Sequence, residues 1–344
     1  MTSGGSRRSN GRASRTSVNV MIVTALLALL IAAVATGLSG TGRSSAARAG
    51  ARPASAPPPR SASGTASGAA SVFATTWLSG HPQPGLDVHG QADVLVDVDS
   101  HQVLWQRDAH TPRPPASLAK LVTAMVAADL APLDRSVTVT GQTDMDAVRR
   151  VEPASTVMGL TAGEILTVRE LLTGLFLRSG NDAAETLGSG LVPRDRFIQV
   201  MNQKAAALHM SDSHFTTPVG LDDPAMRTSP YDLALAAATI TVRYPALLAI
   251  SGLASAEIPQ APAHKAFSLA NYNKLVLPGN AYTYQGATGM KTAFTDDAGP
   301  CMVATATRGG HRLVAVVMHS DNFFADATRL LDYGFDEVGP AGRR

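Results

Sequence analysis

The chain has 344 residues, 45% hydrophobic, 16% charged and 5% aromatic, which is enough for one large domain with a real core. Its formal net charge of +2 is unevenly spread: residues 1–70 hold eight arginines, no lysine and no acid, so the remainder sets 21 basic groups against 27 acidic ones. A folded part of net −6 argues against a nucleic-acid binder, and a single cysteine, Cys301, excludes an intrachain disulfide and a cysteine-based zinc site.

In chain order, Arg7, Arg8, Arg12 and Arg15 precede an apolar run over residues 18–38. Basic residues before about 20 apolar ones read as a membrane span with a cytoplasmic basic segment, residues 1–17, ahead of it. A cleaved signal peptide is the other reading, with small-x-small sites at residues 33–35 and 47–49. Either way the rest of the chain is exported. Residues 39–71 are rich in Ser, Ala, Pro and Gly and hold almost no large apolar side chain, which suits a disordered spacer. The folded domain is expected over residues 72–338, with 339–344 as a tail.

Residues 92–107 (ADVLVDVDSHQVLWQR) read as a hairpin turning at 99–102, and 299–307 and 312–319 read as two more strands joined by a Gly-Gly turn. Helical periodicity covers 117–130, 165–178, 182–190, 194–208 and 230–240, and a closing helix covers 322–335. Strands at both ends with helices between predict an α+β domain: one antiparallel sheet built from both termini, flanked by helices, with an inserted helical lobe.

Three segments can carry chemistry. In PPASLAK, Ser117 and Lys120 sit three apart, on one face of a helix that is apolar nearly all round. A buried lysine resists protonation, and a neutral amine beside a hydroxyl can act as its general base. A helix-capping serine next to a solvent-reaching lysine has the same spacing. In RSGND, Ser179 and Asn181 flank a glycine, where a hydroxyl and an amide can relay a proton and hold a substrate; a turn followed by an asparagine cap is the alternative. In GMKTAFT, Lys291, Thr292, Ala293, Phe294 and Thr295 precede the last strands. A lysine with hydroxyls along a strand edge can bind a carboxylate and a peptide main chain, or can simply guard an exposed edge.

The order Ser-x-x-Lys, Ser-x-Asn, Lys-Thr resembles that of the serine-type D-alanyl-D-alanine carboxypeptidases, the low-molecular-mass penicillin-binding proteins. The resemblance spans about residues 90–336. It includes Arg113–Ser117, Gly163-Glu164 with Thr167-Val168, Thr217–Asp223, Asn273-Lys274-Leu275, Ala298–Cys301 and Leu330–Phe335. It implies a β-lactamase/transpeptidase-like fold and an enzyme without cofactor or metal, acting on peptidoglycan stem peptides that end in D-Ala-D-Ala. β-Lactams would be its covalent inhibitors. Ser117 would attack the carbonyl between the two D-alanines with Lys120 as base. Ser179 and Asn181 would pass a proton to the leaving group and hold the peptide. Residues 291–295 would bind the substrate, the charge of Lys291 would help keep Lys120 neutral, and the main-chain N–H groups of Ser117 and Phe294 would hold the oxyanion. The acyl-enzyme would pass to water, or to an amine in a transpeptidase.

Two positions depart from that pattern. Ala293 stands where the family has glycine, and the segment Ser320–Asp326 lacks the arginine usually found before the last helix. These departures keep a non-catalytic wall-binding module on the same fold as one alternative. A class A β-lactamase is the other, although it normally has aspartate where this chain has Gly180. Elsewhere the nine histidines form no metal-ligand spacing, and Cys301 sits in an apolar run, as a small core residue does.

Overall fold

A computed structural model describes residues 72–339. The basic segment, the apolar run 18–38 and the spacer up to residue 71 lie outside the described residues, as do residues 340–344. Helix α1 (Thr76–Gly80) leads into the hairpin β1 (Ala92–Asp97) and β2 (Gln102–Arg107). A 3-10 turn, Ala116–Ala119, runs into α2 (Lys120–Leu130). The lobe then comprises β3 (Ser136–Thr138), α3 (Met145–Val151), β4 (Ile165–Thr167), α4 (Val168–Leu177), α5 (Asn181–Gly190), α6 (Arg194–Ala207), α7 (Pro230–Arg243) and α8 (Pro245–Ser251). A small hairpin, β5 (Ser255–Ile258) and β6 (Phe267–Ala270), precedes β7 (Ala287–Ala293), β8 (Cys301–Arg308), β9 (His311–Met318) and α9 (Phe323–Val338).

Five strands form one antiparallel sheet in the order β2-β1-β9-β8-β7. The two chain ends meet where β1 pairs with β9, Ala92 opposite Met318 through Asp97 opposite Leu313. Both faces are covered. On one, Leu95, Leu104, Leu313, Ala315 and Val317 pack with Leu330, Leu331 and Phe335 of α9. On the other, Val94, Val96, Val103, Val303, Val314 and Val316 join the core of the lobe. The side chains alternate between the faces as the pleat requires, so a strand that is apolar throughout serves two cores at once. Gly334 permits close approach of α9, because a Cβ there would lie 2.7 Å from Leu313 and 2.9 Å from Leu95.

The lobe contains more than periodicity predicted. The short pair β3–β4, α3, α8 and the hairpin β5–β6 carry too few residues to show a period. The predicted helix from 165 divides: Ile165–Thr167 pairs with β3, and Thr167 then caps α4 through a reciprocal capping box with Glu170. Helix α2 is buried without interruption from Lys120 to Ala127, as its sequence demands. Among the described residues no single helix is long and apolar enough to cross a membrane; α7 and α8 together reach that length and composition but are bent by 109°.

Candidate active site

The 3-10 turn ahead of α2 brings Ser117 to the surface of a cleft while Lys120 points inward. Lys120 has no exposed surface, whereas Ser117 is partly accessible. Their Nζ and Oγ atoms are 2.8 Å apart. Ser117 is not a helix cap, and Lys120 does not reach solvent. Lys120 Nζ also donates to Asn181 Oδ1 at 2.7 Å and to Val219 O at 3.0 Å. Burial, and then the charge of Lys291, hold the Lys120 ammonium well below its ordinary 10.5. A neutral amine has two N–H donors and one lone pair. Two carbonyl oxygens take the donors, so the lone pair faces Ser117 Oγ. An amine in that arrangement can accept the hydroxyl proton.

The second motif sits at the start of α5. Asn181 does not cap that helix; its side chain is buried, with Oδ1 on Lys120 and Nδ2 donating to Ser155 Oγ at 2.9 Å. Ser179 adopts a left-handed conformation, φ +54°, uncommon for a residue with a Cβ and of the kind concentrated at functional sites. Thr156 supports it by donating from Oγ1 to Ser179 O at 2.9 Å.

The third motif lies on β7, the edge strand of the sheet. Lys291 is not an exposed edge residue: it is 1% exposed, and Nζ donates to Ser179 Oγ at 2.8 Å and to Thr292 O at 2.6 Å. Burial lowers its ammonium to about 7. Lys291 therefore bears on Lys120 chiefly while it is itself protonated, and desolvation rather than this charge is the larger cause of the Lys120 shift.

Ser117, Ser179, Asn181, Thr292, Ala293, Phe294 and Thr295 all line one cleft of about 690 Å³, with Lys120 and Lys291 set behind its surface. Every site residue expected from the sequence is thus brought together. Thr295, however, commits its hydroxyl to Asp222 Oδ1 at 2.6 Å, which ties the end of β7 to the loop after Val219. Both departures also fall here. The methyl of Ala293 is nearly buried, and the start of α9 contributes the rings of Phe323 and Phe324 to the cleft wall. Among the described residues no arginine or lysine lines the cleft, and Glu152, Asp222 and Asp296 do.

Three further contributors are not among the site residues expected from the sequence. Val219 O reaches Lys120 because Gly220, at φ +89°, lets the chain pass close to the turn; a Cβ there would lie 1.9 Å from Ala116 O. Ser155 holds the amide of Asn181. Asp182 accepts N–H bonds from Met158, Gly159 and Leu160, each at 2.9 Å, and so fastens the segment that carries Ser155. A glycine in a turn and an acid directly after Asn181 were the available signals. Nothing in the sequence marks Ser155.

Residues 79–322 match the family described as Peptidase_S11, D-alanyl-D-alanine carboxypeptidase. The chain belongs to that family. It is similar to the D-alanyl-D-alanine carboxypeptidase DacB2 of Mycobacterium tuberculosis, 34% identical over 272 residues, covering 75% of this chain and 88% of the relative. It is also similar to DacD of Escherichia coli K12, 32% identical over 290 residues, covering 77% and 68%. Among solved structures, a D-alanyl-D-alanine carboxypeptidase from Mycobacterium tuberculosis H37Rv superposes with a TM-score of 0.66 at 32% identity, covering 75% of this chain and 95% of that one. The Streptomyces K15 DD-transpeptidase superposes at 0.67 and 27% identity, covering 74% and 100%. Family membership makes the protein a serine-type carboxypeptidase on the α+β, transpeptidase-like fold that the motif order implied.

Proposed function

We propose that the protein cleaves the terminal D-alanine from peptidoglycan stem peptides ending in D-Ala-D-Ala, through an acyl-enzyme on Ser117. The observation that carries this reading is the amine of Lys120, buried, disfavoured as an ammonium, 2.8 Å from Ser117 Oγ and bonded to two carbonyl oxygens. Lys120 takes the serine proton as Oγ attacks the carbonyl between the D-alanines. The main-chain N–H groups of Ser117 and Phe294 hold the oxyanion. Ser179, linked to Lys291, passes a proton to the leaving D-alanine, and Asn181 holds both the peptide and Lys120. Lys291 and Thr292 receive the terminal carboxylate. With no arginine or lysine lining the cleft among the described residues, an arriving carboxylate stabilises the protonated form of Lys291 just behind its wall, an amine that burial holds near neutrality. β-Lactams that imitate D-Ala-D-Ala acylate Ser117 in the same way and stay bound.

The acyl group then passes to water, or to an amine. Likeness to the K15 DD-transpeptidase over that protein's whole chain supports including an amine acceptor in the assay. The basic segment, apolar run and spacer of residues 1–71 support an exported catalytic domain, either tethered at the outer face of the cytoplasmic membrane through residues 18–38 or released by cleavage.

The test is to label the soluble domain with a fluorescent penicillin and to incubate it with a D-Ala-D-Ala peptide. Stable labelling abolished in Ser117→Ala, with release of free D-alanine, is the expected result. Labelling that turns over within seconds would favour a β-lactamase. Folded protein that takes no label would be a wall-binding module. Normal labelling without D-alanine release would sink the carboxypeptidase reading and leave transfer to an amine.

A further inference from the structure

We propose that Ser155, on the segment joining α3 to β4, is a positioning residue for acylation: it anchors the outer end of the Asn181 amide and so holds Oδ1 on Lys120. The inference rests on the reading of Ser117 and Lys120 given above and extends it to a residue that carries no motif.

Asn181 is 5% exposed, and its amide is held at both ends. Oδ1 accepts from Lys120 Nζ at 2.7 Å, and Nδ2 donates to Ser155 Oγ at 2.9 Å. Ser155 is itself buried, 7% exposed, at the wall of the cleft. The two orientations of this amide have opposite consequences. With Oδ1 toward Lys120, a donor of the amine is occupied and its lone pair stays free for Ser117. With Nδ2 toward Lys120, the amide donates into that lone pair and competes with the Ser117 hydroxyl for it. The observed orientation requires an acceptor for Nδ2, and Ser155 Oγ is the acceptor the structure supplies. Without it Nδ2 is left unpaired and the amide loses its outer anchor, free to shift off Lys120 or to turn.

Ser155 is built in rather than incidental. Asp182, the residue after Asn181, accepts from the N–H groups of Met158, Gly159 and Leu160. Asn181 N donates to Thr156 O at 2.9 Å, Thr156 Oγ1 donates to Ser179 O, and Ser155 N donates to Glu152 O at 3.0 Å. The segment and the second motif therefore form one hydrogen-bonded unit, which sets the serine against the asparagine.

The experiment measures the rate of acylation by a chromogenic penicillin against pH for the wild type, Ser155→Ala and Ser155→Thr, with thermal melts of each. In Ser155→Ala the plateau rate is expected to fall about tenfold, the scale of one lost hydrogen bond. The acid limb is expected to move to lower pH, because protonated Lys120 loses a carbonyl partner when the amide shifts or turns. Ser155→Thr keeps the hydroxyl and retains both the plateau and the limb. The proposal is overturned if Ser155→Ala acylates like the wild type. It is overturned equally if Ser155→Thr is as impaired as Ser155→Ala, or if the plateau falls in Ser155→Ala with the limb unmoved, which is the mark of a merely structural role. A wild type that takes no penicillin would instead sink the reading of Ser117 and Lys120.

Discussion

Two lysines are sealed from solvent in this protein, one at the start of α2 and one on the edge strand β7. Both are stripped of water, yet their surroundings differ. Lys120 faces two carbonyl oxygens and one hydroxyl, and a second amine adds to the cost of charging it. Lys291 faces a hydroxyl and a carbonyl, and burial alone accounts for its shift, to about 7. The comparison shows how one fold obtains a base and a conditional cation from the same residue type: desolvation weakens both amines, and the charge of Lys291, felt at Lys120, ranks them.

The largest effect should come from removing the base. Lys120→Met keeps the volume and discards the amine, so penicillin acylation of Ser117 is expected to fall by about 10²–10⁴-fold. Stopped-flow acylation rates read this directly, and a loss below tenfold would mean that another group takes the proton.

Lys291→Met breaks the ranking. With the second amine gone, Lys120 is easier to protonate, and the acid limb of acylation is expected to move to higher pH. The same variant tests the sign of linkage. Folded Lys291 releases its proton near pH 7, whereas the unfolded chain holds it to about 10.5. Between those values the unfolded state binds more protons, so stability rises with pH across that window. Denaturant unfolding at pH 7 and pH 9.5 should show the rise in the wild type and a shallower one in Lys291→Met. Equal slopes would place the titration elsewhere.

A smaller effect concerns the cleft wall at the start of α9, where Phe323 stands in a segment without a cation. Phe323→Arg gives the substrate carboxylate a second partner at a partly exposed position. KM for a D-Ala-D-Ala peptide is expected to drop about fivefold with kcat little changed. An unchanged KM would show that the carboxylate lies beyond reach of that side chain.

Legibility in the sequence divides along the same line as the two lysines. The sheet was readable from both ends because β1, β8 and β9 are mostly apolar, β-prone runs ended by clear turns, and α9 carries a strong amphipathic stripe ending at Phe335. The short pieces β3 to β6, α3 and α8 were not, since three to seven residues cannot display a period. The site was readable wherever chemistry needs a fixed spacing, as in Ser117 with Lys120 or Ser179 with Asn181. Contributors that act through the backbone or from a distant loop left little trace. Val219 offers only its carbonyl, and Ser155 lies 26 residues before the asparagine it holds. Motif order brought Lys120 and Lys291 together; only the geometry assigned partners to each of their protons.

The central claim is that Lys120 is already neutral when Ser117 attacks. The most direct measurement is the pH dependence of penicillin acylation at Ser117 in the wild-type domain. A base held well below 10.5 gives a rate that has levelled off by mildly alkaline pH. A rate that climbs about tenfold per pH unit until close to pH 10.5 would show an ordinary lysine and contradict the account.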